Sequence, residues 1–93
     1  MVVRYLLFAI SMIIHVKLFA SLRRYRPEVA LGQSFPCEIG DASTVAQLVS
    51  DVLHLPPEEV AISLVNGVYQ TRECPLNDGD QVGLWPPIAG GER

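Results

Sequence analysis

The sequence has little positive charge, few cysteines and no apolar run long enough to cross a membrane. Its 7 Lys+Arg residues are outnumbered by 10 Asp+Glu residues, which gives a formal net charge of −3. Modules that bind nucleic acid show a clustered basic face, so this balance argues against that class. With 93 residues, the chain is one small domain whose modest core leaves little room for a substrate cleft and a complete catalytic shell.

Apolar residues are concentrated at the N-terminus, where they occupy 16 of the first 20 positions. The longest run is Tyr5–Ile14, broken only by Ser11, whereas a membrane-spanning helix needs about 20 such residues. A basic start at Arg4 also fits a signal peptide, but no small-x-small cleavage site follows before Lys17. We therefore expect no membrane span.

From Met12 onward the sequence alternates in the way that is typical of a half-buried strand. Ile14, Val16 and Leu18 fall on one face, and the residues between them fall on the other. Met12 is therefore a candidate for the true start of the chain. Residues 1–11 then have three interpretations: a mis-assigned start, a genuine appendage, or a signal or anchor.

The sequence predicts one strong helix, which begins at Thr44. Its hydroxyl and the Gln47 side chain form the two halves of a capping box. Five apolar residues follow at helical spacing on one face: Val45, Leu48, Val49, Val52 and Leu53. The helix should end near His54, because Pro56 and Pro57 cannot continue it.

Four further strands are predicted, which are Phe35–Ile39, Ala61–Val65, Val68–Arg72 and Gln81–Trp85. Pro36 indicates an edge position for the first of them, and Asn66-Gly67 predicts a tight hairpin between the next two. A single amphipathic helix can cover one face of one sheet, which is a two-layer α+β design.

Two shorter segments are ambiguous. The first contains three arginines around Tyr25, which are Arg23, Arg24 and Arg26. It is either a solvated turn or helical stub, or else a patch that binds a phosphate or a partner. The residues from Pro57 to Val60 begin a second short helical turn. The predicted organisation is an N-terminal extension (1–11), a folded domain (12–87) and a flexible C-terminal tail (88–93).

The cysteines and histidines are too few and too scattered for a metal site. Cys37 and Cys74 form no CxxC pair, and His15 and His54 do not stand at zinc-ligand spacing from them. We predict that both cysteines are reduced, as in a cytoplasmic protein. A disulfide between them is the alternative that the sequence leaves open.

Enzyme motifs are also missing from the predicted domain. It has no glycine-rich phosphate loop and no arguable pair of nucleophile and base. Asp78 and Asp80 share one turn, which is more typical of a solvated turn than of a cation site. We predict no metal site and no enzyme active site.

The C-terminal tail carries the remaining chemistry. Pro86 and Pro87 stiffen the chain as it leaves the last predicted strand. Gly90 and Gly91 have no side chains, so they can thread a narrow slot and expose a carbonyl to a reagent. A floppy terminus is the alternative.

This ending resembles that of the small sulfur-carrier proteins, the MoaD/ThiS family, over the residues from Met12 to Gly91. The shared features are Leu76-x-Asp78-Gly79-Asp80-x-Val82, Pro86-Pro87-Ile88-Ala89-Gly90-Gly91, the opening Val16-Lys17-Leu18-Phe19-Ala20-x-Leu22-Arg23, Thr44-Val45-x-x-Leu48 and Val65-Asn66-Gly67. The Pro-Pro-x-x-Gly-Gly end is more similar to the molybdopterin branch than to the thiamine branch. The resemblance implies a ubiquitin-like β-grasp fold, with one main helix packed across a mixed sheet.

The resemblance further implies a cytoplasmic sulfur carrier for molybdopterin biosynthesis, and not an enzyme. In that family an adenylating enzyme of the ubiquitin-activating type uses ATP to adenylate the terminal glycine, here Gly91. Sulfur then replaces AMP to give a thiocarboxylate. The expected partners are that enzyme and the large subunit of molybdopterin synthase. No bound cofactor, nucleic acid or membrane is expected.

Carried over to this chain, the resemblance implies that Pro86 and Pro87 would aim the tail and that Gly90 would be the slim segment behind the carrier, Gly91. The tail residues are Pro86, Pro87, Ile88, Ala89 and Gly90. The residues expected to dock a partner are Leu84, Trp85 and Ile88, with Phe19 and Leu22 as weaker candidates. For Trp85, a place in the core is an equal alternative.

The sequence departs from the family at its end, because Glu92 and Arg93 follow Gly91. Gly91 therefore carries an amide and cannot be adenylated as written. Three explanations of the extra dipeptide compete. A protease removes it, the protein works only as a non-covalent binding subunit, or this copy has lost the carrier role. Other functions left open are a carrier for thiamine, tRNA or cysteine sulfur, a ubiquitin-like modifier joined through Gly91 to lysines, and an inert interaction module.

Overall fold

A computed structural model of the protein describes residues 11–88. Five strands form one sheet in this part of the chain: β1 Ser11–Leu18, β2 Phe35–Gly40, β3 Ile62–Val65, β4 Val68–Tyr69 and β5 Gln81–Trp85. Their order is β2-β1-β5-β3-β4. Strands β1 and β5 are parallel and the other pairs are antiparallel, so the sheet is mixed, as the resemblance implied.

The main helix starts as an α-helical turn, Val45–Gln47 (α1), and continues as a π-helix, Leu48–Val52. The predicted capping box is confirmed, since the Thr44 N–H donates to Gln47 Oε1 at 2.8 Å and the Gln47 N–H donates to Thr44 Oγ1 at 3.3 Å. The predicted end is also confirmed, because His54 adopts a φ of 57° and turns the chain out of the helix. The π-helical form was not predicted.

Two 3₁₀ helices complete the described elements, Ala20–Tyr25 and Pro57–Glu59. They confirm the helical stub and the short turn that the sequence predicted. No helix among residues 11–88 is long and apolar enough to cross a membrane.

The core lies between the main helix and one face of the sheet. The alternation predicted for β1 is confirmed, since Ile14 and Val16 have no exposed surface while Ile13 is 50% exposed. Their fully buried neighbours come from every layer: Leu22, Val45, Leu48, Val49, Leu53, Leu76, Val82 and Leu84.

The hairpin between β3 and β4 has the predicted turn, with φ values of 52° at Asn66 and 83° at Gly67. Both angles are positive, as in the tight turns that match the strand twist. Strand β4 ends at Tyr69, earlier than predicted. The Gln70 N–H still donates to the Ser63 carbonyl of β3 at 3.0 Å, and beyond it the carbonyls of Arg72 and Cys74 accept hydrogen bonds from the first N–H groups of the main helix instead.

The turn before β5 is not simply solvated, because Asp80 is buried. Its carboxylate accepts hydrogen bonds from the Asn66 side-chain amide at 2.9 Å and from the Asn77 N–H at 2.8 Å. Asp78 accepts one from the Ile13 N–H at 2.8 Å. The two carboxylates thus tie β1, β5 and the hairpin together, and residues 11–88 hold no cluster of three or more metal-ligating side chains.

Candidate docking face and tail exit

Within the part of the chain that the structure describes, no helix lies over the second face of the sheet, and this open face carries an apolar strip. The outward residues of the three central strands meet there in one row, because Lys17 pairs with Gly83 and Gly83 pairs with Leu64. Two hollows of about 300 and 270 Å³ lie on this open face and share Leu64 and Trp85 as lining residues.

A stacked aromatic pair lies on the open face where β1 and β5 end. Phe19 continues the parallel ladder beyond β1, since its N–H donates to the Leu84 carbonyl at 3.1 Å. This puts its ring against Trp85, with ring centroids 3.9 Å apart and planes only 3° from parallel. Both rings are half-buried, so Trp85 lies on the open face and not in the core.

The stack depends on the absence of a side chain at Gly83. A Cβ atom there would lie 3.0 Å from Trp85 Cζ3 and 3.3 Å from Phe19 Cε2. These distances are tighter than most real Cβ contacts, so a side chain at position 83 would require the two rings to shift by a few tenths of an ångström. The sequence analysis missed Gly83, although a glycine inside a strand is a signal of close approach.

The tail leaves the sheet directly beside this stack. The Trp85 carbonyl accepts the last hydrogen bond, from the Ala61 N–H at 2.9 Å, and Pro86 and Pro87 have no N–H to continue pairing. Ile88, the last described residue, is 73% exposed. The predictions for Ala89, Gly90 and Gly91, and for Glu92 and Arg93, fall outside the described residues.

Comparison with protein families gives one match. The model of the ThiS family matches residues 16–91, which is most of the chain and ends at Gly91. The chain belongs to the ThiS family. Members of this MoaD/ThiS group are small ubiquitin-like carriers that work with activating enzymes and partner subunits. No curated protein has a sequence similar enough to count as a relative.

Solved structures agree with this assignment. A Pyrococcus furiosus protein assigned as molybdopterin converting factor, subunit 1, has a TM-score of 0.64 at 24% identity, over 83% of this chain and 99% of its own. The HVO 2177 protein of Haloferax volcanii gives 0.62 at 26%, over 87% and 88%. The Haloferax volcanii protein SAMP1 gives 0.59 at 25%, over 85% and 99%. The β-grasp fold is therefore confirmed.

Two residues predicted to dock a partner are wrongly assigned. Leu22 and Leu84 have no exposed surface, so neither can touch another protein. Leu84 alternates with Trp85 along β5 and points into the core, and Leu22 is the buried residue of the first 3₁₀ helix. Of the five candidates, Phe19, Trp85 and Ile88 remain accessible in this ThiS-family chain.

Two arginines of the predicted stub, Arg24 and Arg26, contact other parts of the fold. Arg24 pairs with Glu59 at 2.6 Å, and Arg26 donates to the carbonyl oxygens of Tyr25 and Leu53. The hydrogen bond to Glu59 raises the pKa of the Tyr25 hydroxyl above its usual value. The predicted stub is thus held against the 3₁₀ turn at Pro57–Glu59.

Cys37 and Cys74 are both free thiols, as predicted. Burial raises the pKa of the Cys37 thiol, and a raised thiol pKa leaves less of the nucleophilic thiolate at neutral pH. Cys37 is therefore poorly suited to carry transferable sulfur.

Substituting Gly83 tests how the aromatic pair is seated. We expect Gly83→Ala to force the rings off the strand and to cost about 1–3 kcal/mol in the free energy of unfolding, as overpacking does. Near-ultraviolet circular dichroism and urea titration measure both effects. Gly40→Ala is the matched control, because a Cβ there meets only Ser43 Oγ at 3.7 Å. Identical spectra and stabilities for the two variants would contradict the contact.

Proposed function

We propose that this protein is a sulfur carrier that is activated at Gly91 and supplies sulfur for molybdopterin, the pterin of the molybdenum or tungsten cofactor. The observation that carries the proposal is the Pro86-Pro87-x-x-Gly90-Gly91 ending, which follows β5 next to the half-buried aromatic pair. The family match, which ends at Gly91, supports it.

The chemistry needs a free carboxyl group at Gly91. A carboxylate is a poor electrophile, so the activating enzyme joins it to AMP from ATP and releases pyrophosphate. A sulfur donor then displaces AMP, a C–S bond replaces the C–O bond to phosphate, and a thiocarboxylate results. The protein itself supplies the acyl group and its tether, while the partners supply ATP binding and the donor.

The open face is the proposed docking surface for those partners. Phe19 and Trp85 present half-buried aromatic surface beside the tail exit, and buried aromatic anchors dominate binding energy at interfaces. The activating enzyme and the large subunit of molybdopterin synthase would use this face in turn, each receiving the tail in its own active site. The protein would do this work in the cytoplasm.

Cleavage after Gly91 is part of the proposal, because Glu92 and Arg93 block activation. A processing protease is the expected third partner. Pro87 and Ile88, the last residues that the structure describes, are exposed to solvent, which would leave the approach of the protease open up to that point.

Intact mass of the protein taken from its own cells tests the proposal. We expect a chain that ends at Gly91, part of it heavier by the difference between one sulfur and one oxygen atom. A population that ends entirely at Arg93 would contradict processing and, with it, the carrier role. Co-purification with a synthase large subunit would support the molybdopterin pathway over thiamine, tRNA or cysteine pathways.

A second candidate function is a ubiquitin-like protein modifier. The likeness to SAMP1, named as a small archaeal modifier protein, favours it. A modifier would appear as ladders of larger conjugates in a denaturing gel of cell extract, whereas a dedicated carrier would run as a single band.

A further inference from the structure

Lysine is almost absent from the chain, which has six arginines and a single lysine, Lys17. The chemical difference between lysine and arginine side chains matters for a protein whose C-terminal carbonyl is activated. A lysine amine loses its proton readily enough to attack an acyl group, whereas a guanidinium stays protonated in proteins. Lys17 is thus the one side-chain amine of this chain that an activated Gly91 can acylate.

Lys17 does not lie at a remote surface position. It is on β1 opposite Gly83 and lines the larger hollow of the open face, next to the aromatic pair. Its Nζ is 6.0 Å from the centroid of the Phe19 ring. No Asp or Glu lines this hollow, and the one ion pair among residues 11–88 joins Arg24 and Glu59. Among residues 11–88, the amine therefore has no carboxylate in an ion pair to hold it.

The hollow also suits the tail of another copy. Phe19, Leu64 and Trp85 give it an apolar lining, and Gly67 and Gly83 add no side-chain bulk. The six residues from Pro86 to Gly91 are proline, isoleucine, alanine and glycine, and extended they reach about 20 Å. A chain's own tail would have to reverse just after Pro86-Pro87, where φ is fixed, so a second copy is the better donor.

We propose that Lys17 is a self-acylation site, at which the activated Gly91 of a second copy forms an isopeptide bond. The proposal rests on activation of Gly91 as described above. The neutral Nζ attacks the Gly91 carbonyl carbon, a C–N bond forms, the C–O bond to AMP breaks, AMP leaves with the electron pair and the amine proton passes to water. The attached tail then covers the docking face, so the product cannot bind a partner there.

A chemically activated donor tests this without the activating enzyme. The donor is the chain ending at Gly91 as a C-terminal thioester, with Lys17→Arg so that it cannot accept, and the acceptor is the 93-residue chain. We expect a covalent dimer whose tryptic map joins Gly91 to Lys17. It should form at least about tenfold faster than acylation of Nα-acetyllysine at equal concentration, because the hollow holds the tail near the amine.

Two acceptor variants complete the experiment. Lys17→Arg should remove the branched peptide, and Trp85→Ala should slow its formation while Lys17 remains. Dimers joined through the N-terminal amine, equal yields with the Lys17→Arg acceptor, or a rate no faster than that of free acetyllysine would each overturn the proposal. Because the thioester is made chemically, such a failure would leave the carrier function standing, and that function is judged separately by the mass of the native protein.

Discussion

A chain that ends at Gly91 becomes acyl-adenylated by its activating enzyme and ATP, and the 93-residue chain does not: this is the largest effect we expect. In the longer chain the Gly91 carbonyl belongs to an amide bond with Glu92, so Gly91 has no carboxylate oxygen to attack ATP. ATP–pyrophosphate exchange measures the reaction, and intact mass identifies the adduct. Activation of the unprocessed chain at Arg93 would sink both the processing step and the assignment of Gly91.

A second variant tests whether the narrow shape of the tail matters when the Gly91 carboxylate is present. In the chain ending at Gly91, Gly90→Val keeps the carboxylate but widens the segment that must enter the activating site. Displacing reacting groups by about 1 Å can cost about 100-fold in rate, so we expect a loss of that order. The free energy of unfolding should not change, because the substitution lies beyond the last strand, β5. A variant that lost activation by unfolding would contradict a tail independent of the core.

Local patterns predicted most of the sheet. The alternation after Met12 identified β1 and its buried face, the pair Thr44 and Gln47 identified the helix start, and Asn66-Gly67 identified the turn. Each is a signal carried by neighbouring residues, and each has a single physical cause, such as a cap that satisfies free N–H groups or a turn that needs positive φ. Such patterns predict the structure correctly because no contact with a distant part of the chain overrides them.

The features that were missed depend on contacts between distant parts of the chain. The aromatic pair joins Phe19 and Trp85 across parallel strands, and only their packing reveals that a side chain at Gly83 would crowd the rings. Likewise, the carbonyls of Arg72 and Cys74, which follow β4, accept hydrogen bonds from the start of the main helix instead. For Leu84, the error was one of face: a one-residue shift along a strand moves a side chain from surface to core.

The second large effect that we expect comes from Leu84 and Trp85, which are neighbours at the end of β5. Leu84 should matter for the stability of the fold, and Trp85 should matter for binding to a partner. Leu84→Ala empties a fully buried position, and such truncations cost about 2–5 kcal/mol of unfolding free energy, a large share of the stability of a small domain. Trp85→Ala removes a half-buried ring and its stacking on Phe19. The lost stacking should lower the free energy of unfolding by about 1 kcal/mol, in addition to the effect of the apolar surface that is no longer buried. Urea titration of both variants makes the comparison.

Binding to the activating enzyme should depend on Trp85 and not on Leu84. Loss of a central aromatic anchor costs about 2 kcal/mol or more, which corresponds to about a 30-fold rise in Kd. Leu84→Val, a milder truncation that keeps the core filled, should bind like the native chain at a temperature where both are folded. If Leu84→Val weakened binding as much as Trp85→Ala did, the open face would not be the docking surface, because Leu84 reaches only the opposite side of the sheet.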